Sequence, residues 1–306
     1  MKQVWPTGRV LARVRARDSH KRSYGAAEFV AADAAGEGIP PNVAWALFWL
    51  PLLSLAALLI GAAIYRPAYD RMLQEDYPVE WAQFACCLFI SVVAFMSVRP
   101  SIRQRRWVLT GLLVLLAIGC FFLAGEEISW GQRVLGIATP SDFRSNEQDE
   151  MNLHNFAGGF DPEAAFRQAQ LMLSLVLAGL IVNGRVRDLR PSSFWRIVSP
   201  PVCTFPLFLT MPTYRIYRLF APGEVNFAVR LQEWAEFCQY FGMAAAIACL
   251  YFALRPPAEP IVDIRKATGN YAVRDWKHLA TPAVLIGLIT LVFTVMTLFS
   301  EVRAYN

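Results

Sequence analysis

The side chains best suited to chemistry are concentrated in one polar stretch, residues 125–155, which reads GEEISWGQRVLGIATPSDFRSNEQDEMNLHN. It opens with two adjacent carboxylates, Glu126 and Glu127, directly after a long apolar run. Ionisable side chains in such a position are costly, and those that occur usually serve a function. Paired carboxylates can exchange protons with a substrate or hold a divalent cation. We therefore expect Glu126 and Glu127 to be catalytic residues.

The residues that follow this pair extend the same surface if the helix continues. One helix face would then carry four side chains at helical spacing: Glu126, Ser129, Trp130 and Arg133. Trp130 suits the membrane interface, and it is expected to bind substrate together with Gln132 and Arg133. The alternative is that both glutamates are ordinary interfacial acids with Arg133 as their local counter-charge.

A second polar segment, NEQDEMNLHN, occupies residues 146–155. Glu150 precedes His154 by four residues, so both side chains would lie on one helix face. Such a pair can supply two metal ligands, or the carboxylate can orient the imidazole for general acid/base catalysis, so His154 is expected to be a catalytic residue or a metal ligand. The amides of Asn152 and Asn155 are expected to bind substrate. The alternative is a polar helix cap or a re-entrant loop whose amides satisfy backbone groups.

Two further carboxylates, Glu233 and Glu236, are three residues apart. On a helix they are separated by roughly 60°, so both can face one cavity. Glu236 is therefore expected to be catalytic. The residues expected to hold a divalent metal ion are Glu127, Glu150, His154, Glu233 and Glu236.

The segment TYRIYR at residues 213–218 places Arg215 and Arg218 beside Tyr214 and Tyr217. Arginine forks bind phosphate in a bidentate manner, and tyrosines lie well at head-group depth. Arg215 and Arg218 are therefore expected to bind an anionic substrate. The alternative is that they anchor the chain to lipid head groups without specificity.

The composition indicates a membrane protein, because 56% of the 306 residues are hydrophobic, only 17% are charged, and the mean hydropathy is +0.36. Seven apolar segments each approach the ~20 residues that a bilayer requires. They lie at about 43–65, 79–98, 107–126, 167–183, 194–211, 227–254 and 279–299. The fold class expected is an all-α polytopic bundle spanning 42–306, with an extracytoplasmic loop at about 127–166.

Two segments depart from this regular pattern. Residues 1–41 are polar and arginine-rich, then rich in Ala and Gly, which predicts a flexible basic cytoplasmic tail. The fifth apolar segment contains Pro200, Pro201 and Pro206, so a kinked or broken helix is expected there. Breaks of this kind persist in membranes only where protein or a wet cavity satisfies the exposed backbone groups.

The distribution of positive charge predicts the orientation of the bundle. With the N-terminus inside and seven spans, 20 of the 29 Lys and Arg residues lie on the inner side. The C-terminus is then outside, and 16 of the 24 acidic residues lie on the outer side. The second, third and sixth spans each bring carboxylates to that side, which predicts one shared polar site on the extracytoplasmic face of a bacterial inner membrane.

Several other classes of site are not indicated. The sequence contains no GxSxG, HExxH, Walker, GxGxxG or CxxC motif. All six cysteines lie within apolar segments without metal-ligand spacing, so they are expected to pack between helices.

The blocks GEEISWGQR (125–133) and NLHN (152–155) resemble a signature of bacterial multi-pass membrane proteins. The resemblance covers about thirty residues and implies that this stretch matters, without implying an activity. Seven spans also invite comparison with seven-helix zinc hydrolases of the ceramidase and adiponectin-receptor type. Those carry histidines on the last span, and this last span from Leu279 to Ser300 has none.

Three functions remain open from the sequence. The first is an enzyme that hydrolyses or transfers a group on an anionic lipid or lipid-linked head group at the outer leaflet, with a divalent metal ion as its expected cofactor. The second is a non-catalytic scaffold or assembly subunit that docks a membrane-protein partner. The third is a transporter coupled to protons or cations. Membrane lipid is the common partner, and no nucleic acid is expected.

Overall fold

The computed structural model describes residues 25–74, 78–141, 162–187, 193–220, 226–255 and 277–304. Within these ranges the chain is almost entirely helical and contains no strand. In chain order, the α-helices are α1 (Ala26–Gly36), α2 (Pro41–Ile64), α3 (Arg66–Met72), α4 (Pro78–Arg103), α5 (Trp107–Glu127), α6 (Gln132–Leu135), α7 (Pro162–Ile181), α8 (Phe194–Val198), α9 (Phe205–Phe220), α10 (Asn226–Ala253) and α11 (Lys277–Ala304). A π-helix, Val182–Val186, continues α7.

Five helical segments are long and apolar enough to cross a membrane: Pro41–Ile64, Pro78–Arg103, Trp107–Glu127, Ala164–Val186 and Val229–Ala253. The fold class supported by the described residues is therefore a helical membrane bundle. These five segments coincide with five of the seven predicted spans. α11 runs through the predicted last span, although its apolar part with described side chains, Leu279–Val292, is shorter.

Helices α4 and α10 form the centre of the bundle. α4 packs against α5, α10 and α11, while α10 also packs against α9, which in turn packs against α7. By contrast, α2 exposes many large apolar side chains, among them Leu52, Leu53, Ile60 and Ile64. An apolar surface of this kind suits lipid as its environment.

The predicted break in the fifth apolar segment is confirmed. Helix α8 ends at Val198, and the chain passes through Pro200 and Pro201 into a 3-10 turn, Val202–Thr204, before α9 begins. The backbone groups at this break bind side chains. The N–H of Val202 donates to Asp33 Oδ2 at 2.9 Å, and the carbonyl of Ser199 accepts from Arg185 Nη2 at 2.5 Å.

The segment predicted to be a flexible tail contains an ordered helix. In α1, Val30 and Ala34 are buried, and the helix packs against α2 and against the 3-10 turn at Val202–Thr204. The sequence did not predict this packing, because Asp33 and Glu37 are charged and such residues usually face water. Here both pair with arginines within the protein, as described below. Residues 1–24 lie outside the described part of the chain.

Long-range hydrogen bonds define the two ends of the bundle. Near the start of α4, Gln83 Nε2 donates to the carbonyl of Glu233 in α10 at 2.8 Å. At the far end of the same helices, Gln104 Nε2 donates to the carbonyl of Leu254 at 2.7 Å. We call the first the glutamate end, because Glu126, Glu127, Glu233 and Glu236 lie there, and the second the Asp33 end.

Candidate functional site

The glutamate pair lies where α5 ends and a tight turn begins. The helix stops at Glu127, and Ser129, Trp130 and Gly131 then have φ angles of 45°, 53° and 77°. Positive φ is sterically unfavourable for Ser and Trp, whereas glycine adopts it readily. The predicted single face that would carry Glu126, Ser129, Trp130 and Arg133 is therefore wrong, because no continuous helix joins these residues.

The turn folds the Trp130 side chain back over α5. Its Nε1 donates to Glu126 Oε1 at 2.8 Å, and its ring lies so close to Gly125 that a Cβ there would be 2.8 Å from Cε3. Glu126 is only 5% exposed. The two glycines of the GEEISWG block thus have different roles. Gly125 leaves room for the indole, and Gly131 adopts a positive φ in the turn.

Glu127 belongs to a chain of side chains that crosses three helices. Its Oε1 accepts from the Tyr240 hydroxyl at 3.3 Å, and that hydroxyl accepts from Gln170 Nε2 at 3.1 Å. Tyr240 and Gln170 are buried, while Glu127 is partly buried. α5, α10 and the start of α7 are therefore joined through one carboxylate, one phenol and one amide.

Glu233 and Glu236 each accept a hydrogen bond from a glutamine. Gln83 Nε2 donates to Glu233 Oε2 at 3.2 Å, and Gln232 Nε2 donates to Glu236 Oε1 at 2.8 Å. Glu236 is buried at 6% exposure. Each of Glu126, Glu127, Glu233 and Glu236 thus accepts a hydrogen bond from a neutral donor: an indole, a phenol or an amide.

The four carboxylates act on one another. The charges that bear on Glu127 are those of Glu236, Glu233 and Glu126, in decreasing order. The structure therefore brings Glu126, Glu127, Glu233 and Glu236 together, which is the convergence expected from the ends of the third and sixth predicted spans.

The predicted arginine pair lies at the same end, near the C-terminus of α9. Arg215 Nε and Nη2 and Arg218 Nη1 are buried without a hydrogen-bond partner among the described residues. Arg215 interacts electrostatically with Arg167 of α7, with Glu236 and with Arg218. We call Arg167, Arg215 and Arg218 the arginine cluster, and Glu236 links it to the carboxylates.

The remaining predicted residues are only partly described. Gln132 is buried and its Nε2 donates to Thr139 Oγ1 at 2.7 Å, which makes it part of the turn after α5. The backbone of Arg133 lies in α6, and its side chain is outside the described atoms. Glu150, Asn152, His154 and Asn155 all fall in residues 142–161, outside the described part of the chain.

The described side chains contain no group of three or more His, Cys, Asp or Glu residues placed to hold a metal ion. Glu127, Glu233 and Glu236 are the described members of the predicted ligand set. The full predicted ligand set also includes Glu150 and His154, so it stays a prediction.

Sequence reasoning missed the uncharged members of the site. Gln83, Gln170 and Gln239 are buried, and each has an amide oxygen without a partner among the described residues. Gln83 and Gln170 were recognisable as polar residues at the edge of apolar runs. Their partners were not recognisable, because Gln83 bonds to a residue 150 positions away and Gln170 to one 70 positions away.

A buried ion network at the Asp33 end was also missed. Arg185 pairs with Asp33 at 3.3 Å and with Glu37, and Arg196 pairs with the same Asp33 oxygen at 3.2 Å. Gly184 permits this packing, because a Cβ there would lie 2.6 Å from the Ser199 Cβ. The two carboxylates and the two guanidinium groups of this network balance one another in charge.

The arrangement at the glutamate end can exchange protons and can bind an anion. Carboxylates bonded to neutral donors can take up or release a proton while keeping their positions, and guanidinium groups with open N–H bonds attract oxyanions. Comparisons with protein-family models, with curated proteins and with solved structures find no significant match to this chain.

Proposed function

We propose that this chain is an integral membrane enzyme that hydrolyses, or transfers a group on, an anionic lipid or lipid-linked head group. The observation that carries the proposal is the position of Glu127. It is bonded to the Tyr240 hydroxyl, within the field of three other carboxylates, and Glu236 connects it to the arginine cluster. An acid/base group next to an anion site is what phosphoester or head-group chemistry requires.

In this mechanism Glu127 removes the proton from the attacking water or hydroxyl as the new bond forms. Glu236, which interacts with Arg215 and begins the cycle protonated, gives its proton to the oxygen that leaves. Transfer of the proton from Glu127 to Glu236 then restores both side chains. Tyr240 orients Glu127, so it acts as a positioning residue. Arg215 and Arg218 hold the negative charge of the head group, which lowers the energy of a transition state in which that charge increases.

Purified protein in vesicles of bacterial lipid extract tests the reaction, with lipid conversion followed by mass spectrometry. Glu127→Gln keeps the size and hydrogen bonding of the side chain but cannot take up a proton. We expect it to slow conversion by about 10²- to 10⁴-fold, the usual contribution of a general base. Glu28→Gln is the matched control, because Glu28 is exposed on α1. Wild-type protein that converts no lipid, or an unaffected Glu127→Gln protein, would contradict the proposal.

We also propose that the bundle has seven spans, with the N-terminus inside and the glutamate end outside. The proposal is supported by the positive-inside count and by α9 and α11 in addition to the five long segments. Single cysteines at Ser141 and Arg103, both exposed and at opposite ends, test it in intact cells. An impermeant maleimide should label Ser141→Cys at once and Arg103→Cys only after permeabilisation. The reverse pattern would invert the orientation.

A non-catalytic scaffold is the second candidate, and the bonds of Glu126 favour it. The bond from Trp130 to Glu126 holds the turn against the end of α5, as a docking surface of fixed shape would require. The same variants separate the two functions. In a scaffold, Glu127→Gln would leave the lipid composition unchanged, and disruption of the turn would release a membrane-protein partner from the purified complex.

A further inference from the structure

Arg215 has a buried guanidinium edge without a hydrogen-bond partner among the described residues. Its unpartnered atoms are Nε and Nη2, the two nitrogens whose N–H bonds point in the same direction along one edge of the guanidinium plane. That edge is the one that arginine uses for bidentate binding of carboxylate and phosphate. A buried, unmade pair of charged hydrogen bonds is costly, so the arrangement is suited to a ligand that supplies two oxygens.

Two neighbouring arginines add positive charge near this edge, and one of them has another buried nitrogen without a described partner. Arg218 follows one helical turn after Arg215 and also has a buried nitrogen, Nη1, without a described partner. Arg167, from the neighbouring helix α7, adds a third positive charge that acts on Arg215. The unpartnered N–H groups therefore belong to α9, and Arg167 of α7 adds to the positive charge around them.

Three buried guanidinium nitrogens have no described partner, two on Arg215 and one on Arg218, and this number limits the kind of ligand. A phosphate monoester has three terminal oxygens and carries close to two negative charges near neutral pH, whereas a phosphate diester has two such oxygens and one charge. We propose that Arg215 and Arg218, supported by Arg167, bind the terminal phosphate of a lipid phosphate monoester. Arg215 takes two of its oxygens in a bidentate contact, and Arg218 takes the third.

Glu236 connects the proposed preference for a phosphate monoester with the proposed reaction. Glu236 interacts electrostatically with both Arg215 and Glu127, so it is the carboxylate that connects a phosphate bound to Arg215 with the proposed base. This inference rests on the proposed function, whose anionic head group it specifies. Binding is nevertheless measurable without turnover, so the two ideas can fail separately.

The test is lipid binding to the detergent-purified full chain, measured by native mass spectrometry with phosphatidic acid and phosphatidylglycerol of identical acyl chains. These lipids are a monoester and a diester. We expect wild-type protein to bind phosphatidic acid at least about 10-fold more tightly. Arg215→Ala should weaken that binding by about 10- to 100-fold, the range for charge-assisted hydrogen bonds. Arg215→Lys should bind both lipids alike, because a lysine retains charge but not the fork.

Arg66→Ala is the matched control, since Arg66 is an exposed arginine of the loop helix α3 at the same end and pairs with Asp70. It should leave the preference intact. Equal binding of the two lipids by wild-type protein, or unchanged binding by both Arg215 variants, would overturn the proposal. If inorganic phosphate competed as strongly as phosphatidic acid, the proposal that the bound phosphate belongs to a lipid would be wrong.

Glu127→Gln should retain the preference for phosphatidic acid. Intact binding without any lipid conversion by wild-type protein would refute the proposed reaction alone. Conversion that persists in Arg215→Ala and Arg218→Ala would refute the phosphate site alone. Thermal unfolding of each variant in the same detergent shows whether a loss of binding reflects a loss of folding.

Discussion

Trp130 donates its indole N–H to Glu126, four residues earlier, although the two residues do not lie on one continuous helix. The contact exists because three successive residues with positive φ turn the chain back toward α5. The bond to the buried Glu126 carboxylate therefore depends on the turn, and the turn places Ser129, Trp130 and Gly131 at positive φ angles.

Trp130→Phe should remove this hydrogen bond while retaining most of the ring packing against Phe121 and Phe122. We expect unfolding to become easier by about 1–3 kcal/mol, because the buried carboxylate loses a donor. Chemical denaturation in detergent, followed by circular dichroism, measures this. Trp107→Phe, at an exposed tryptophan at the start of α5, should change stability little. Equal effects of the two changes would contradict the role of the indole N–H.

Gly125→Ala should destabilise the turn without changing any charge. The added Cβ would meet the Trp130 ring at 2.8 Å, so the indole must move and its bond to Glu126 weakens. A cost of about 1–3 kcal/mol is typical of such overpacking. Gly119→Ala on the same helix has nothing within 4 Å and should be neutral or stabilising. Thermal melting of both variants gives the comparison, and a neutral Gly125→Ala would disprove the close approach.

Asp33→Ala should strongly destabilise the Asp33 end. Arg185 and Arg196 would lose a shared carboxylate, and the N–H of Val202 would lose its acceptor. Removing one partner from a buried ion network typically costs about 3–5 kcal/mol. Limited proteolysis should then cut near α1, whereas Glu28→Ala on the exposed side of that helix should leave the digestion pattern unchanged. A protected α1 in Asp33→Ala would show that apolar packing alone holds it.

The six cysteines should resist a thiol reagent in the folded protein, since all of them are buried and free. We expect labelling by maleimide only after denaturation in a strong detergent. Mass spectrometry of the native protein counts the modified thiols. Rapid modification of any of the six would mean that the helices around it separate in solution. Variants with an added surface cysteine, such as Arg103→Cys, provide the positive control.

Tyr69 in α3 should make stability depend on pH in the alkaline range. Burial raises its pKa from 10.0 to about 12, while the guanidinium of Arg66 acts in the opposite direction. The folded state favours the neutral phenol, so its contribution is fully present below pH 10 and is lost as the pH rises through about 12. Unfolding measurements between these values should show a steeper loss for wild-type protein than for Tyr69→Phe. Identical slopes would contradict the shift.

The helices were predictable because an apolar run of sufficient length has few alternatives in a membrane. α2, α5 and α10 begin and end within a few residues of the predicted spans. The proline-rich break was predictable for an equally local reason, since Pro200 and Pro201 cannot continue a helix. The convergence of Glu127 with Glu236 followed from counting which helix ends share a side.

The turn after α5 could not be predicted in the same way. Helical spacing favoured a continuous face through Trp130, whereas the positive φ angles of Ser129, Trp130 and Gly131 turn the chain back. The Asp33 network was also hidden, because its members are separated by 152 positions and each alone resembles a charge in a polar tail or loop. Pairings over such distances leave no periodic pattern in a single sequence.

That separation has a consequence for biosynthesis. Asp33 leaves the ribosome long before Arg185, Arg196 and Val202, and until those residues are made its carboxylate has none of its three partners. The ion network that joins α1 to this end of the bundle can therefore form only after residues 185–202 have been synthesised. In a nascent chain that ends before residue 185, α1 can use only its packing against α2, because neither Arg185 nor Arg196 has yet been made.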